Sequence, residues 1–170
     1  MKYILVLFFT SVCSLIVNLS KAQTAAADNK LSQSITSHTI PGGQSLYGIF
    51  EGRPPCEEIA RQVDSTVTSE CPKVKWRLMF FQDPVTKKPS MYQVLGRFLP
   101  AQGKWKIIKG IKSNPDAEVF QLELGKPGSY FYFLKGDENV LFVLDENKEF
   151  RVGNENFSYT LNRVELLPKK

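Results

Sequence analysis

Hydrophobic and polar residues alternate in short runs along most of this chain, and this period of two limits the fold more than any other feature. The clearest run spans residues 73–81, where one side carries Val74, Trp76, Leu78 and Phe80. The other side carries Lys73, Lys75, Arg77 and Met79. Because side chains of a strand point alternately to its two faces, the run predicts a β-strand with one buried face.

Similar runs recur to the end of the chain. They cover residues 46–50, 92–98, 104–107, 120–124, 130–134, 140–144, 149–152 and 157–164. Turn-forming Gly, Pro, Asn and Asp residues separate them, so we expect about nine strands. The runs at 130–134 and 140–144 are apolar on both faces, and residues 135–139 between them predict a hairpin.

One segment departs from this period. Residues 55–63 place Ile59 and Val63 four positions apart after Pro54 and Pro55, which predicts a short helix. Many short strands with one small helix indicate an all-β antiparallel barrel or sandwich. We favour a small antiparallel β-barrel, because closure removes the edges that strands this apolar would otherwise expose.

The N-terminus has the pattern of a secretory signal peptide. Lys2 precedes an apolar run over residues 3–19, and small residues then lead to a predicted cleavage after Ala22. Polar residues interrupt the run, which argues against a spanning helix, and an uncleaved anchor is the alternative. Cys13 does not follow the leucine and small residues of a lipoprotein signal. The sequence therefore predicts a periplasmic or secreted protein.

Three segments are expected: a signal peptide over residues 1–22, a flexible leader over 23–43 and a barrel domain over 44–168. The leader has little apolar content and ends in Pro-Gly-Gly. Removing the signal peptide leaves 20 basic and 17 acidic residues, a net charge of +3, and the lysines are scattered. We expect no nucleic-acid partner and no transmembrane segment in the mature chain.

Cys56 and Cys71 are the two cysteines that remain after cleavage. In an exported domain, an even pair is most simply a disulfide. It would close a loop of about 16 residues and stabilise the domain by about 3 kcal/mol in the chain-entropy model. Two alternatives stay open, namely free buried thiols and a thiolate pair that binds Cu(I) or Zn(II). No further ligand is evident nearby, since His38 lies in the leader and Met79 and Met91 are explained by packing.

No constellation of catalytic groups stands out. The chain has neither a Gly-rich phosphate loop followed by a helix nor a Gly-x-Ser-x-Gly turn. Its one histidine, His38, is in the leader, where no packed shell would orient it. Four acidic residues fall in predicted turns, namely Asp83, Asp116, Asp137 and Asp145. We therefore expect a protein that is not an enzyme and needs no cofactor.

Four short motifs occur in order over residues 46–145. They are Tyr-Gly-Ile-Phe-Glu at 47–51, Gly-Arg-Pro-Pro-Cys at 52–56, Gly-Lys-Trp at 103–105 and Leu-Phe-Val-Leu-Asp at 141–145. With them the chain resembles the N-terminal domain of the NlpE family, bacterial lipoproteins of copper resistance and envelope stress. The resemblance implies a lipocalin-like β-barrel in the bacterial envelope. The family motif continues Pro-Cys-x-x-Cys, but Ile59 stands where its second cysteine would be, so a Cys-x-x-Cys copper or redox site is not implied here.

Two functions follow from these features. The first is a noncatalytic envelope protein whose barrel binds a small apolar ligand or an envelope protein, and the resemblance to the NlpE family implies a role in envelope stress. Its candidate ligand-binding side chains are Trp76, Tyr92, Phe98 and Trp105. The alternative for these aromatics is simple filling of the core. The second function is metal handling or redox sensing through Cys56 and Cys71, which predicts metal-dependent stability.

Overall fold

A computed structural model describes residues 40–66 and 71–165 of the chain. The predicted signal peptide, residues 1–22, lies outside the described residues, as does the leader up to residue 39. The described part contains the following elements: β1 (Ser45–Gly52), α1 (Cys56–Gln62), β2 (Trp76–Gln82), β3 (Pro89–Leu95), β4 (Gln102–Ile111), β5 (Asn114–Glu123), β6 (Tyr130–Lys135), β7 (Val140–Val143) and β8 (Thr160–Val164).

The strands form a closed antiparallel barrel in which each strand pairs with its neighbours in sequence. β1 closes the barrel by pairing with both β2 and β8, so that Phe50 lies opposite Leu78 on one side and Arg163 on the other. This up-and-down arrangement of eight strands is the architecture of lipocalins. The prediction of a small all-β barrel with one short helix is confirmed.

Alternate residues of the strands point into the barrel and form its core. Because directly paired residues share a face, the register places Phe80 beside Tyr92 and Phe120 beside Phe133. The buried inward-facing side chains include Phe50, Trp76, Leu78, Phe80, Tyr92, Val94, Trp105, Phe120, Leu122, Phe131, Phe133, Leu141, Val143 and Leu161. Eight strands enclose a space that side chains of this size can fill.

Helix α1 packs at the end of the barrel where β1 ends and β2 begins, which we call the helix end. Its residues Cys56 and Ile59 are fully buried and belong to the same cluster as the barrel core. The segments on either side of α1 are joined by a hydrogen bond from the backbone N–H of Val74 to the carbonyl of Pro54, at 2.9 Å. The predicted helix is confirmed.

Residues 149–152 do not form the predicted strand. Only one isolated bridge, between Leu144 and Phe150, represents it. The carboxylate of Asp145 accepts a hydrogen bond of 2.8 Å from the backbone N–H of Glu149, and such local bonds compete with a strand ladder. The expectation of about nine strands is corrected to eight in the described part of the chain.

The predicted strand over residues 92–98 is also too long, because β3 ends at Leu95. Gly96 follows with φ of +147°, and a Cβ there would lie 2.6 Å from Cδ1 of Trp76, so the close approach requires glycine. Phe98 lies in the loop with φ of +76°, a conformation that is rare for aromatic residues. It packs against the core from this loop, not from a barrel strand.

Candidate functional site

Three of the four predicted ligand-binding aromatics lie in the barrel core. The indole N–H groups of Trp76 and Trp105 and the hydroxyl of Tyr92 all donate to backbone carbonyls. Their acceptors are Arg97 O at 2.9 Å, Phe81 O at 2.7 Å and Glu123 O at 2.6 Å, respectively. Burial raises the pKa of Tyr92 to about 12. Each polar atom already has a partner, so these side chains brace the barrel wall from inside.

Phe98, the fourth predicted residue, is half-buried at the helix end. The guanidinium of Arg97 lies over its ring, 5.1 Å from the centroid, and the carbonyl of Arg97 accepts the hydrogen bond from Trp76. The loop thus brings Phe98 to the part of the core that contains Trp76.

The two cysteines come together at the helix end. The Sγ atoms of Cys56 and Cys71 lie at disulfide-bonding distance, 1.95 Å, with 5.8 Å between the Cα atoms. This pair ties the first residue of α1 to the segment that precedes β2. Within residues 40–66 and 71–165, no three His, Cys, Asp or Glu side chains come together as metal ligands.

A buried arginine also binds α1. The side chain of Arg151 is only 8% exposed and donates to Glu58 Oε2 at 3.0 Å and to Gln62 Oε1. Its guanidinium also lies 5.6 Å from the ring centroid of Tyr159. Burial and a hydrogen bond to Glu58 raise the pKa of Tyr159 well above its usual range. Arg151, in the segment after β7, therefore binds α1 through Glu58 and Gln62 and also contacts Tyr159.

The other end of the barrel carries a chain of alternating charges, which we call the charged rim. It consists of Lys109, Glu118, Lys135, Glu138 and Arg163. The nitrogen–oxygen distances of the successive pairs along this chain are 3.2, 3.5, 2.5 and 3.8 Å. Most of these side chains lie on the inward face of their strands, because directly paired residues share a face. Lys135 pairs with the core residue Leu141, and Arg163 pairs with the core residue Phe50. Lys109 pairs with Glu118.

Aromatic side chains lie directly beneath the charged rim. The guanidinium of Arg163 is 4.7 Å from the ring centroid of Phe50 and 5.6 Å from that of Tyr47. The Tyr47 ring in turn contacts Trp105 and Phe120, with centroids 5.3 and 5.6 Å away. Charged and aromatic groups therefore meet at one end of the barrel, an arrangement suited to a molecule with both polar and apolar parts.

Electrostatic coupling within the charged rim is visible in two pKa shifts. A hydrogen bond from Lys109 lowers the pKa of Glu118, and the charges of Lys109 and Lys135 add to the effect. A hydrogen bond to Glu138 raises the pKa of Lys135 above its ordinary value. Both shifts favour the charged forms of Glu118 and Lys135.

Sequence reasoning missed the charged rim because it treated the lysines only as scattered charges. The alternation itself contained a signal. Lys109 continues the face of Trp105 and Ile107, and Lys135 continues the face of Phe131 and Phe133. Because alternate residues of a barrel strand face the interior, Lys109 and Lys135 lie on the inward face, each just beyond the apolar stretch of its strand.

A surface cleft of about 350 Å³ lies outside the barrel wall. Met91 and Lys104, paired across β3 and β4, form part of it on their outward faces. Its remaining lining residues are Gln102, Gly103, Glu123 and Gly125. The cleft is thus distinct from the charged rim.

Comparison with known proteins gives no assignment: no family model matches the chain, and neither the curated proteins nor the solved structures contain a significant match. The resemblance to the NlpE family therefore stays a prediction. In the part of the chain that the structure describes, no helix has both the length and the apolar character needed to cross a membrane.

Proposed function

We propose that the chain is an exported, noncatalytic bacterial envelope protein whose barrel binds a small apolar ligand at the charged-rim end. One observation carries this proposal. Ile107 faces the interior, opposite Phe120, and yet is 36% exposed. Its neighbours on the same face, Trp105 and Phe120, are almost completely buried. Apolar interior surface is accordingly accessible to a ligand at this position.

Export is supported by two independent features. The N-terminal residues have the signal-peptide pattern, and Cys56 and Cys71 lie at disulfide-bonding distance. Disulfides persist in the oxidising compartments outside the cytoplasm. The eight-stranded barrel agrees with the fold that the resemblance to the NlpE family implies, and a role in envelope stress rests on that resemblance alone.

An envelope protein is the second candidate partner, and an apolar patch on the outside of the barrel favours it. Phe150 is 54% exposed, and its ring contacts that of Phe142 with centroids 5.9 Å apart. Aromatic residues are enriched at protein interfaces. A protein partner docked there would be lost in Phe150→Ser, whereas ligand binding at the charged rim would be retained.

The neutral fluorescent probe N-phenyl-1-naphthylamine tests the main proposal. We expect saturable binding with about one site per chain, and an affinity about fivefold lower in Ile107→Asn, which removes apolar contact area. Val85→Asn is the matched control, because Val85 is an exposed apolar residue in the β2–β3 turn. Absence of saturable binding to the wild type, or equal effects of the two substitutions, would reject the proposal.

A further inference from the structure

Glu138 occupies an unusual position in the charged rim. It comes from the short β6–β7 loop and its side chain is 73% exposed, whereas Lys135 and Arg163 are only 18% and 22% exposed. Its two carboxylate oxygens contact different cations: Oε1 lies 2.5 Å from Lys135 Nζ, and Oε2 lies 3.8 Å from Arg163 Nη2. An exposed loop thus supplies a carboxylate to two cations that the barrel holds in place.

Both cations stay in position through contacts that do not involve this carboxylate. Arg163 donates from Nη1 to the carbonyl of Tyr47 at 3.0 Å and from Nε to the backbone carbonyl of Glu138 at 2.5 Å. Lys135 also pairs with Glu118 at 3.5 Å. If the Glu138 side chain turned to solvent, the two cations would remain as a preformed anion site.

The charge balance favours an anion at this site. With the Glu138 carboxylate in place, the charged rim has three cations and two anions. Without it, Lys109, Lys135 and Arg163 face Glu118 alone. Because Lys135 and Arg163 are partly buried, an anion that replaces the carboxylate interacts more strongly than it would at a fully solvated surface.

The neighbouring apolar surface defines the rest of the ligand. Ile107 lies two residues before Lys109 on the same inward face and is partly exposed. The ring of Tyr47, half-buried, lies under the guanidinium of Arg163. A molecule whose anionic group reached Lys135 and Arg163 would have apolar surface available for an attached chain.

We infer that the charged rim binds the carboxylate of an amphipathic ligand, such as a fatty carboxylate, and that the Glu138 side chain occupies the same place until the ligand displaces it. A carboxylate is favoured because Glu138 itself spans the two cations with its two oxygens. The inference specifies the ligand class for the proposed function and rests on it.

Decanoate and decan-1-ol provide a matched pair of probes, since they share an alkyl chain and differ in charge. Their affinities can be measured by competition with N-phenyl-1-naphthylamine. We expect decanoate to bind the wild type about tenfold more tightly than decan-1-ol, as one charge-assisted contact would give. Lys135→Met should abolish this preference without weakening decan-1-ol, and Lys135→Arg should retain it.

Glu138→Gln gives the sharper test, because removing a competing carboxylate should strengthen decanoate binding by about fivefold. The matched control is Glu57→Gln on α1, which removes an equally exposed carboxylate, 79% against 73%, that also pairs with a cation. Thermal melting of each variant separates loss of binding from loss of fold.

The outcomes distinguish the two proposals. If decan-1-ol binds and decanoate binds no better, the anion site is rejected while the apolar-ligand proposal stands. If neither displaces N-phenyl-1-naphthylamine, the anion site is rejected, and the apolar-ligand proposal is decided separately by whether that probe itself binds saturably. If decanoate is preferred but Glu138→Gln leaves its affinity unchanged or reduces it, the displacement of Glu138 is rejected.

Discussion

Gly48 leaves the space that the guanidinium of Arg163 occupies. A Cβ at Gly48 would lie 2.9 Å from Cζ of Arg163, well inside van der Waals contact. The arginine crosses β1 at this point and donates to the carbonyl of Tyr47, next to a register shift in β1 between Leu46 and Gly48. The position of one rim cation therefore depends on the absence of a side chain on the adjacent strand.

Gly48→Ala should destabilise the protein by about 1–3 kcal/mol, because the added methyl group forces Arg163 or the strand to move. Urea unfolding measures this change. Gly42→Ala is the control, since a Cβ at Gly42 meets nothing within 4 Å, and it should change stability by less than about 0.5 kcal/mol. Equal stability of the two variants would show that Arg163 adapts without cost.

The alternation of residues was sufficient to predict the barrel strands. In segments such as residues 73–81 and 120–124, one face is apolar and the other is mostly polar, which is the pattern of a strand with one buried face. The prediction was wrong at two places where local contacts outweighed the pattern. The carboxylate of Asp145 accepts a hydrogen bond from the backbone of Glu149, so residues 149–152 do not pair as a strand. Gly96 packs closely against Trp76, and the chain leaves the sheet there, so residues 96–98 form a loop.

The charged rim could not be located in the same way. Its members come from four strands and a loop, and only the barrel register brings Lys109, Lys135 and Arg163 to one end. Register depends on the stagger between strands, which a pattern within one strand does not specify. The aromatic core, in contrast, depends only on which face is apolar.

Joining Cys56 to Cys71 should stabilise the domain by about 3 kcal/mol, because the link restricts a loop of the unfolded chain. Thermal melting of the wild type with and without reductant measures this, and the double variant Cys56→Ala/Cys71→Ala should resemble the reduced protein. Unchanged melting on reduction would contradict the prediction.

The same samples test the alternative function in metal handling. A disulfide leaves no thiolate to bind Cu(I) or Zn(II), so metal should not change the melting temperature of the oxidised protein. A rise in melting temperature of the reduced wild type that the double alanine variant lacks would favour the metal-handling function. No rise in either form would reject it.

Arg151→Met should destabilise the protein by about 2 kcal/mol, since it removes charge-assisted hydrogen bonds to Glu58 and Gln62 from a largely buried side chain. Lys112→Met is the matched control. Lys112 pairs with Glu149 at 3.0 Å, but its side chain is exposed, so the loss should be about 0.5 kcal/mol or less. Similar losses in urea unfolding would mean that the arginine network does not hold α1.

The protein should lose stability at alkaline pH as the buried hydroxyl of Tyr92 ionises. Burial raises its pKa to about 12 in the folded state, against an ordinary value of 10.0. Because the folded state keeps its proton longer than the unfolded state, the stabilisation is complete below pH 10 and is lost as the pH rises from 10 to 12. Urea midpoints of the wild type should therefore fall steeply across this interval.

Tyr92→Phe separates this effect from the general alkaline loss of ion pairs. At pH 7 the variant lacks the hydrogen bond to the carbonyl of Glu123 and should be less stable by about 1 kcal/mol. Above pH 10 it has no phenol to ionise at this position, so its midpoints should fall less than those of the wild type and the difference between the two should shrink. Absorbance near 295 nm, where phenolate absorbs, should also lose a late-titrating component in the variant. Midpoint curves that stay parallel from pH 9 to pH 12 would show that the buried hydroxyl of Tyr92 contributes nothing to the alkaline sensitivity.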